Sequence, residues 1–414
     1  MATKATVDDR SKDLDDYFVG PRDMSHHSRW PMWLRMHGSV LSEMALPLLF
    51  VGGWATLITC LCKFVHNLGI NSVLLTVLGF VVGLGLSFRS SSAYERYMEG
   101  RRYWATLILT SQNLVRLIWI HADERDGDVG KEDLLGKITA CNLIVAFAVA
   151  LKHKLRFEPY AHYDDLKSLI GHLDTFAQAA GACHTSNQKK QNLLKTTGEF
   201  LGELKRAAVP LGNLPLEILS NLSAYIKELF TNGTFKVSIY QTQALNNLST
   251  LNDVLTGTDR VLNTPLPIAY SIAISQITWV YVCMLPFQLY KTLEWVTIPA
   301  TIVAAYIILG IALIGNEIEN PFGNDVNDLP LDTFCEELRQ DVAVITSKAP
   351  PKPRDYVKSA LNLPLFPLSQ GGFEQWSDKG VEGIREGLRA RARLGNASKE
   401  KNGAKEASGR EVEV

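Results

Sequence analysis

Four windows of this chain carry no charged side chain over a length that crosses, or nearly crosses, a lipid bilayer: residues 45–62, 68–88, 261–290 and 295–316. A helix rising about 1.5 Å per residue covers roughly 30 Å of hydrocarbon in about 20 residues. No water inside lipid satisfies backbone N–H and C=O groups, so each window reads as a helix that bonds within itself. The first extends past Lys63, whose aliphatic stem reaches the interface. A fifth apolar run, 138–151, holds 14 residues between Lys137 and Lys152. It is short for a crossing and suits a buried helix of a soluble bundle. The fold class that follows is an all-α membrane protein with four transmembrane helices and a large cytoplasmic helical bundle.

The four spans form two hairpins. His66 and Asn67 separate the first pair, and residues 291–294 separate the second. Arg22, Arg29 and Arg35 precede the first span, while Arg89, Arg96, Arg101 and Arg102 follow the second. The positive-inside tendency places these flanks, and both termini, in the cytoplasm. Residues 1–42 lack the apolar core of a cleaved leader, so the first span also serves as the insertion signal. The plasma membrane is the default address, with an organelle membrane left open. The expected division is a cytoplasmic N-terminal segment at 1–42, spans one and two in 43–88, and a cytoplasmic helical domain at 89–260. Spans three and four follow in 261–316, then a cytoplasmic C-terminal region at 317–386 and a disordered tail at 387–414. Apolar periodicity in 107–120, 134–151, 193–204, 216–230 and 237–255 makes the large domain helical. With 42 basic and 43 acidic side chains, the charge balance suggests no nucleic-acid partner.

Phe80, Leu84 and Phe88 recur at i, i+4 and i+8 and share one face of the second span. Gly79, Gly83 and Gly85 lie beside that stripe, where small residues let helices approach closely. Such spacing usually marks a face toward lipid or a bundle core. Repeated around an axis, it makes an apolar constriction that wets or dewets. Asp325 and Asp328 sit in the run 324–328 and offer either a weak calcium site or a capped turn. So few carboxylates favour the turn. Glu99 is three residues from both Arg96 and Arg102, within helical pairing distance of each. Cys60 and Cys62 have no second pair at metal spacing and read as small buried apolar residues. Histidines are irregularly placed, and no phosphate loop, nucleophile elbow or paired-histidine metal motif occurs. An enzyme is not expected, and no cofactor is required.

Two segments resemble the bestrophin family of ion channels, in its bacterial, fungal and plant branch. One is Leu78-Gly79-Phe80 running to Phe88-Arg89-Ser90-Ser91-Ser92-Ala93-Tyr94-Glu95-Arg96, then Glu99-Gly100-Arg101-Arg102 and Trp104. The other is Glu317-Ile318-Glu319-Asn320-Pro321-Phe322-Gly323-Asn324-Asp325-Val326-Asn327-Asp328-Leu329-Pro330-Leu331. His37-Gly38-Ser39-Val40-Leu41 and Thr264-Pro265-Leu266-Pro267 with Ala269-Tyr270 add to the match. The resemblance implies a homopentamer around one axial pore that passes chloride and other small anions across a lipid bilayer. It places the pore neck on Phe80, Leu84 and Phe88. Counting back from Tyr270 puts a second, cytoplasmic aperture at Ile239, which otherwise reads as a core isoleucine. Animal relatives carry a denser acidic cluster where this chain keeps only Asp325 and Asp328, so calcium is a doubtful ligand. One bacterial branch passes cations, which leaves the sign of the ion open. An organic-anion transporter on the same scaffold is a further alternative, although the hairpins show no mutual repeat.

Overall fold

A computed structural model describes residues 38–66, 68–70, 72–158, 164–176 and 212–393. The helix expected at 193–204, most of the N-terminal segment 1–42 and residues 394–414 of the tail lie outside them. Among the described residues every regular element is helical.

The first hairpin is α1 (Leu41–Phe64) followed by α2 (Ser72–His121). Charge marks the end of the lipid-compatible stretch at Phe88, yet α2 does not stop there. Residues 89–121 contain neither Pro nor a helix-terminating motif, so α2, 50 residues long in all, runs on into the soluble bundle. The second hairpin is α7 (Ile268–Leu293) and α8 (Thr297–Glu317), joined by a single 3-10 turn, Glu294–Val296. Its first span starts later than position 261. Residues Val261 to Asn263 close the preceding helix α6 (Ser238–Asn263), and Pro265 and Pro267 break the chain, since each lacks an N–H and disfavours helix in the residue before it. The apolar windows of the membrane helices are 22–28% buried within the protomer, leaving most of their surface for lipid or neighbours. Met44, Val51, Val282, Ala305 and Leu309 hold α1 against α7 and α8. Val82, Leu86 and Ile274 hold α2 against α7.

Helix α3 (Asp128–Leu155) contains the fifth apolar run and is long enough by composition to cross a bilayer, but its window is 67% buried. Its two flanking lysines explain why it belongs to the soluble core. Buried Lys137 is held by Glu124 at 2.9 Å, and buried Lys152 by Asp165 at 2.9 Å and Asp332 at 3.0 Å. Such pairs need carboxylates from other soluble elements. Around α3 lie α4 (Asp164–Ile170), α5 (Leu214–Thr231), α6, α9 (Leu331–Thr346) and the second half of α2. Trp104, Leu114, Ile118, Phe147, Leu222 and Leu251 form the centre of one continuous apolar core. Burial raises the Cys141 and Cys335 thiols to about 12, which leaves them as packing groups.

The described residues from Ser347 onward form a second compact unit. Here α10 (Pro353–Val357) precedes α11 (Phe373–Ser377) and a helix over 380–393, whose Gly387 lies against buried Leu365 and Trp376. Helix therefore continues through 387–393, where the tail was expected to begin.

The turn from α2 into α3 is closed by a fork. Arg125 donates from N at 3.0 Å and Nε at 2.9 Å to Asp133 Oδ2, and from Nη2 at 2.6 Å to Oδ1. The guanidinium holds the buried Asp133 carboxyl down at about 2, from 3.8. A depressed carboxylate pKa contributes stability that is complete above the unfolded value and lost as pH falls through the folded one. We expect Asp133→Asn to cost roughly 1–3 kcal/mol near neutrality. Thermal unfolding of purified protein should show that deficit at pH 7 and a shrinking difference from wild type between pH 4 and pH 2.

Candidate functional site

The stripe on α2 is uncovered. Phe80, Leu84 and Phe88 are 73%, 46% and 58% exposed, while Leu75, Val82, Leu86 and Arg89 on the other side of the helix are buried. The buried side packs on α7 and α8 through Ile274, Tyr281 and Ile308. Thus α2 turns one apolar face inward and leaves a second apolar face with no cover from its own protomer. The glycines beside the stripe differ in use. A side chain at Gly79 would reach within 2.9 Å of the Tyr281 hydroxyl, so this glycine lets α7 approach. At Gly83 nothing lies within 4 Å, and the space beside it is open. Close packing within the protomer therefore accounts for Gly79 and not for Gly83.

Ile239 is the second residue of α6 and is 66% exposed. It is not a core isoleucine of the protomer. Helix α6 runs antiparallel along the soluble half of α2. Tyr240 stacks on His121 at 4.4 Å, Gly257 lies against Tyr103, and Val261 meets Arg96. A side chain at Gly257 would overlap the Tyr103 ring, so its absence sets this close approach. Ile239 consequently sits beside the far end of α2, roughly 50 Å along the helix from Phe88 at 1.5 Å per residue.

The arginines after Phe88 have separate tasks. Arg89 is 6% exposed and donates from Nη2 to Asn316 Oδ1 on α8. Arg96 donates from Nε to the Glu319 carbonyl at 3.1 Å, from Nη2 to that of Val261 at 2.6 Å, and from Nη1 to that of Thr264. Arg101 lies over the Phe334 ring at 4.5 Å. Glu99 does not pair with Arg96 or Arg102. Its partner is Arg260 on α6, because the antiparallel docking of α6 brings that guanidinium to the same level. Sequence reasoning also missed Asn316 and Gln276. Both are polar side chains inside otherwise apolar windows, and that was the available signal.

The run 324–328 forms a turn. Asp328 is buried, and its Oδ2 accepts the Asp325 N–H at 2.8 Å while its own N–H donates to the Asp325 carbonyl at 3.0 Å. Burial pushes the Asp328 carboxyl above its usual range. Asn327 Nδ2 donates to the Gly38 carbonyl at 3.1 Å and to Glu317 Oε1 at 2.7 Å. Asp328 Oδ2 and Glu317 Oε1, two of the oxygens a hard cation would draw on, are thus engaged by internal donors. Among the described residues, no group of three or more His, Cys, Asp or Glu side chains could hold a metal ion.

The two segments that carried the family resemblance meet in space. Gly100 on α2 faces Phe322 and Pro321, and an added Cβ would lie 3.0 and 3.1 Å from their side chains. A family model described as bacterial/fungal bestrophin protein matches residues 21–344. A protein of Synechocystis sp. named as a voltage-dependent anion channel-forming protein is 34% identical over 325 residues, which cover 77% of this chain and 94% of that one. An Escherichia coli K12 protein with the same description is 26% identical, covering 77% and 92%. Among solved structures, a bacterial bestrophin homolog from Klebsiella pneumoniae superposes with a TM-score of 0.56 at 24% identity, over 74% of this chain and 99% of that one. At that identity the likeness establishes the fold.

The Gly100 joint yields a test. Gly100→Leu forces a side chain against buried Phe322 and should cost about 1–3 kcal/mol. The measurement is the thermal midpoint of the purified protein, with a lower value expected than for wild type.

Proposed function

The chain belongs to the bestrophin family, and from that premise we propose that it is an anion channel: a homopentamer passing chloride and other small anions down their electrochemical gradient. The observation that carries this reading is the uncovered stripe of Phe80, Leu84 and Phe88. In a ring of copies, each level of the stripe supplies one bulky apolar side chain per protomer. Such a constriction holds an energy barrier that depends on its radius and wetting. Ile239 supplies a second apolar ring at the opposite end of α2. Arginine side chains and helix N-termini near the soluble end raise the local anion concentration by electrostatic focusing. Both termini and the helical domain lie in the cytoplasm, on the arginine-rich side of the plasma membrane. Passive flow needs no bond to be broken, which accords with a chain whose polar residues are spent on tying helices together. The names borne by the Synechocystis and Escherichia coli relatives support the anion assignment.

Purified protein in planar bilayers tests the selectivity. Under a tenfold chloride gradient the current should reverse close to the chloride equilibrium potential, about 59 mV for a single charge. Reversal at the opposite sign assigns the pore to cations, and slow saturable flux without unitary steps assigns a carrier. The triple variant Phe80→Ala, Leu84→Ala, Phe88→Ala should widen the neck and raise open probability severalfold or weaken selectivity. Unchanged currents from a folded triple variant reject these residues as the neck.

A further inference from the structure

Where α2 leaves the membrane stretch, a cavity of 460 Å³ opens between Arg89, the Pro265–Ile268 corner and the end of α8. Its polar lining comes from Arg89 on α2, from Ser271, Ser275 and Gln276 on α7, and from Asn316 and Glu319 at the end of α8 and just beyond. Arg89 is 6% exposed. Its Nη2 donates to a neutral amide oxygen, Asn316 Oδ1, and its Nε is buried without a hydrogen-bond partner. A buried guanidinium satisfied only by an amide is unfavourable unless a negative group completes it.

Three further features indicate which group that is. Helix α7 begins at Ile268, so its N-terminus adds partial positive charge and free N–H groups at the cavity wall. Ser271, Ser275 and Gln276 add neutral donors. The volume exceeds the share of one water molecule, about 30 Å³, more than tenfold, so a bare halide leaves most of the cavity unfilled. The planar fork of arginine matches two oxygens of a phosphate. Glu319 lines the same wall, with Oε1 accepting the Leu266 N–H at 3.1 Å. Its negative charge disfavours a dianion and selects a phosphate carrying a single charge. The rim includes Ile268 and Ile272, both exposed, at the level where the apolar spans end.

We propose that this cavity is a binding site for a monoanionic phosphate group, held by Arg89 and the polar side chains of the first turns of α7. The group comes either from an anionic lipid headgroup in the adjoining leaflet or from phosphate in solution. The assignment concerns binding alone and is independent of whether the α2 stripe lines a pore.

The thermal midpoint of the full-length protein tests it in two arms. One compares sodium phosphate with sodium chloride at equal ionic strength in detergent. The other compares nanodiscs of phosphatidylcholine with and without phosphatidylglycerol. Saturating occupancy should raise the midpoint by about 3–6 °C. A response to inorganic phosphate identifies the soluble source, a response to phosphatidylglycerol identifies the headgroup, and either supports the site. Arg89→Gln should abolish the response. The double variant Ser271→Ala, Gln276→Ala keeps the charge and should weaken apparent affinity at least about threefold, which decides the matter if Arg89→Gln fails to fold. No response in either arm, a response to chloride as large as to phosphate, or a full response in the variants overturns the proposal.

Discussion

The arrangement at the membrane boundary rests on the guanidinium of Arg96. Helices leave carbonyls unsatisfied where they stop, and three such carbonyls meet here: Val261 and Thr264 at the end of α6, and Glu319 just past α8. Those groups are orphaned for stated reasons. Pro265 and Pro267 forbid α6 from running on into α7, and the chain leaves helix after Glu317 to make the turn at 324–328. One side chain with five donors answers all three. The start of the second hairpin and its end are thereby tied to the same turn of α2. Because α2 is unbroken from the bilayer into the soluble bundle, the level of the spans is passed directly to the domain beneath them. The pairing of Arg260 with Glu99 and the contact of Gly257 with Tyr103 extend the tie along α6.

What could be read in the sequence follows from which physical demand was at work. The bilayer demands length without charge, so the spans were visible as uninterrupted apolar windows. Lys137 and Lys152 cut the fifth run to 14 residues, short for a crossing, and the structure adds that each buried ammonium is held by carboxylates of the soluble bundle. The ends of elements were harder. A charged residue marks where lipid stops, whereas a helix ends only where its backbone bonding fails. Arg89 therefore looked like a boundary although α2 passes through it. At the other hairpin the charge-free count ran back to Val261, although Pro265 and Pro267 were the better guide to the true start.

Tertiary partners lay outside what spacing conveys. Glu99 had two arginines within one helical turn and chose a third from α6, since docking an antiparallel helix brings a distant side chain as close as a local one. Ile239 precedes Tyr240, which packs on the core, but at 100° per residue it lies about 120° around the helix from buried Leu251 and so faces away from that core. The acidic pair at 324–328 was legible as a turn because aspartates capping N–H groups are a local matter. Asp328 does so with Oδ2, and Asn327 holds Gly38 and Glu317 in the same corner.

The uncovered stripe poses a question that exposure within the bilayer does not answer, since lipid covers an apolar face as well as protein does. The continuation of α2 beyond the hydrocarbon bears on that question. At 100° per residue, Leu109 and Ile120 fall within roughly 60° of Phe88 around the helix, and they lie about 30 and 50 Å beyond it. Both are exposed large apolar side chains, as are Val237 and Ile239 on the adjoining first turn of α6. Those positions are far past the end of the hydrocarbon, where lipid offers no cover and water disfavours contiguous apolar surface. Between Phe88 and Leu109 the same face carries Ser92, Glu95, Glu99 and Arg102, so the apolar surface stops at the boundary and resumes beyond it. Exposed apolar side chains at those outer levels suit contact with another copy of the chain.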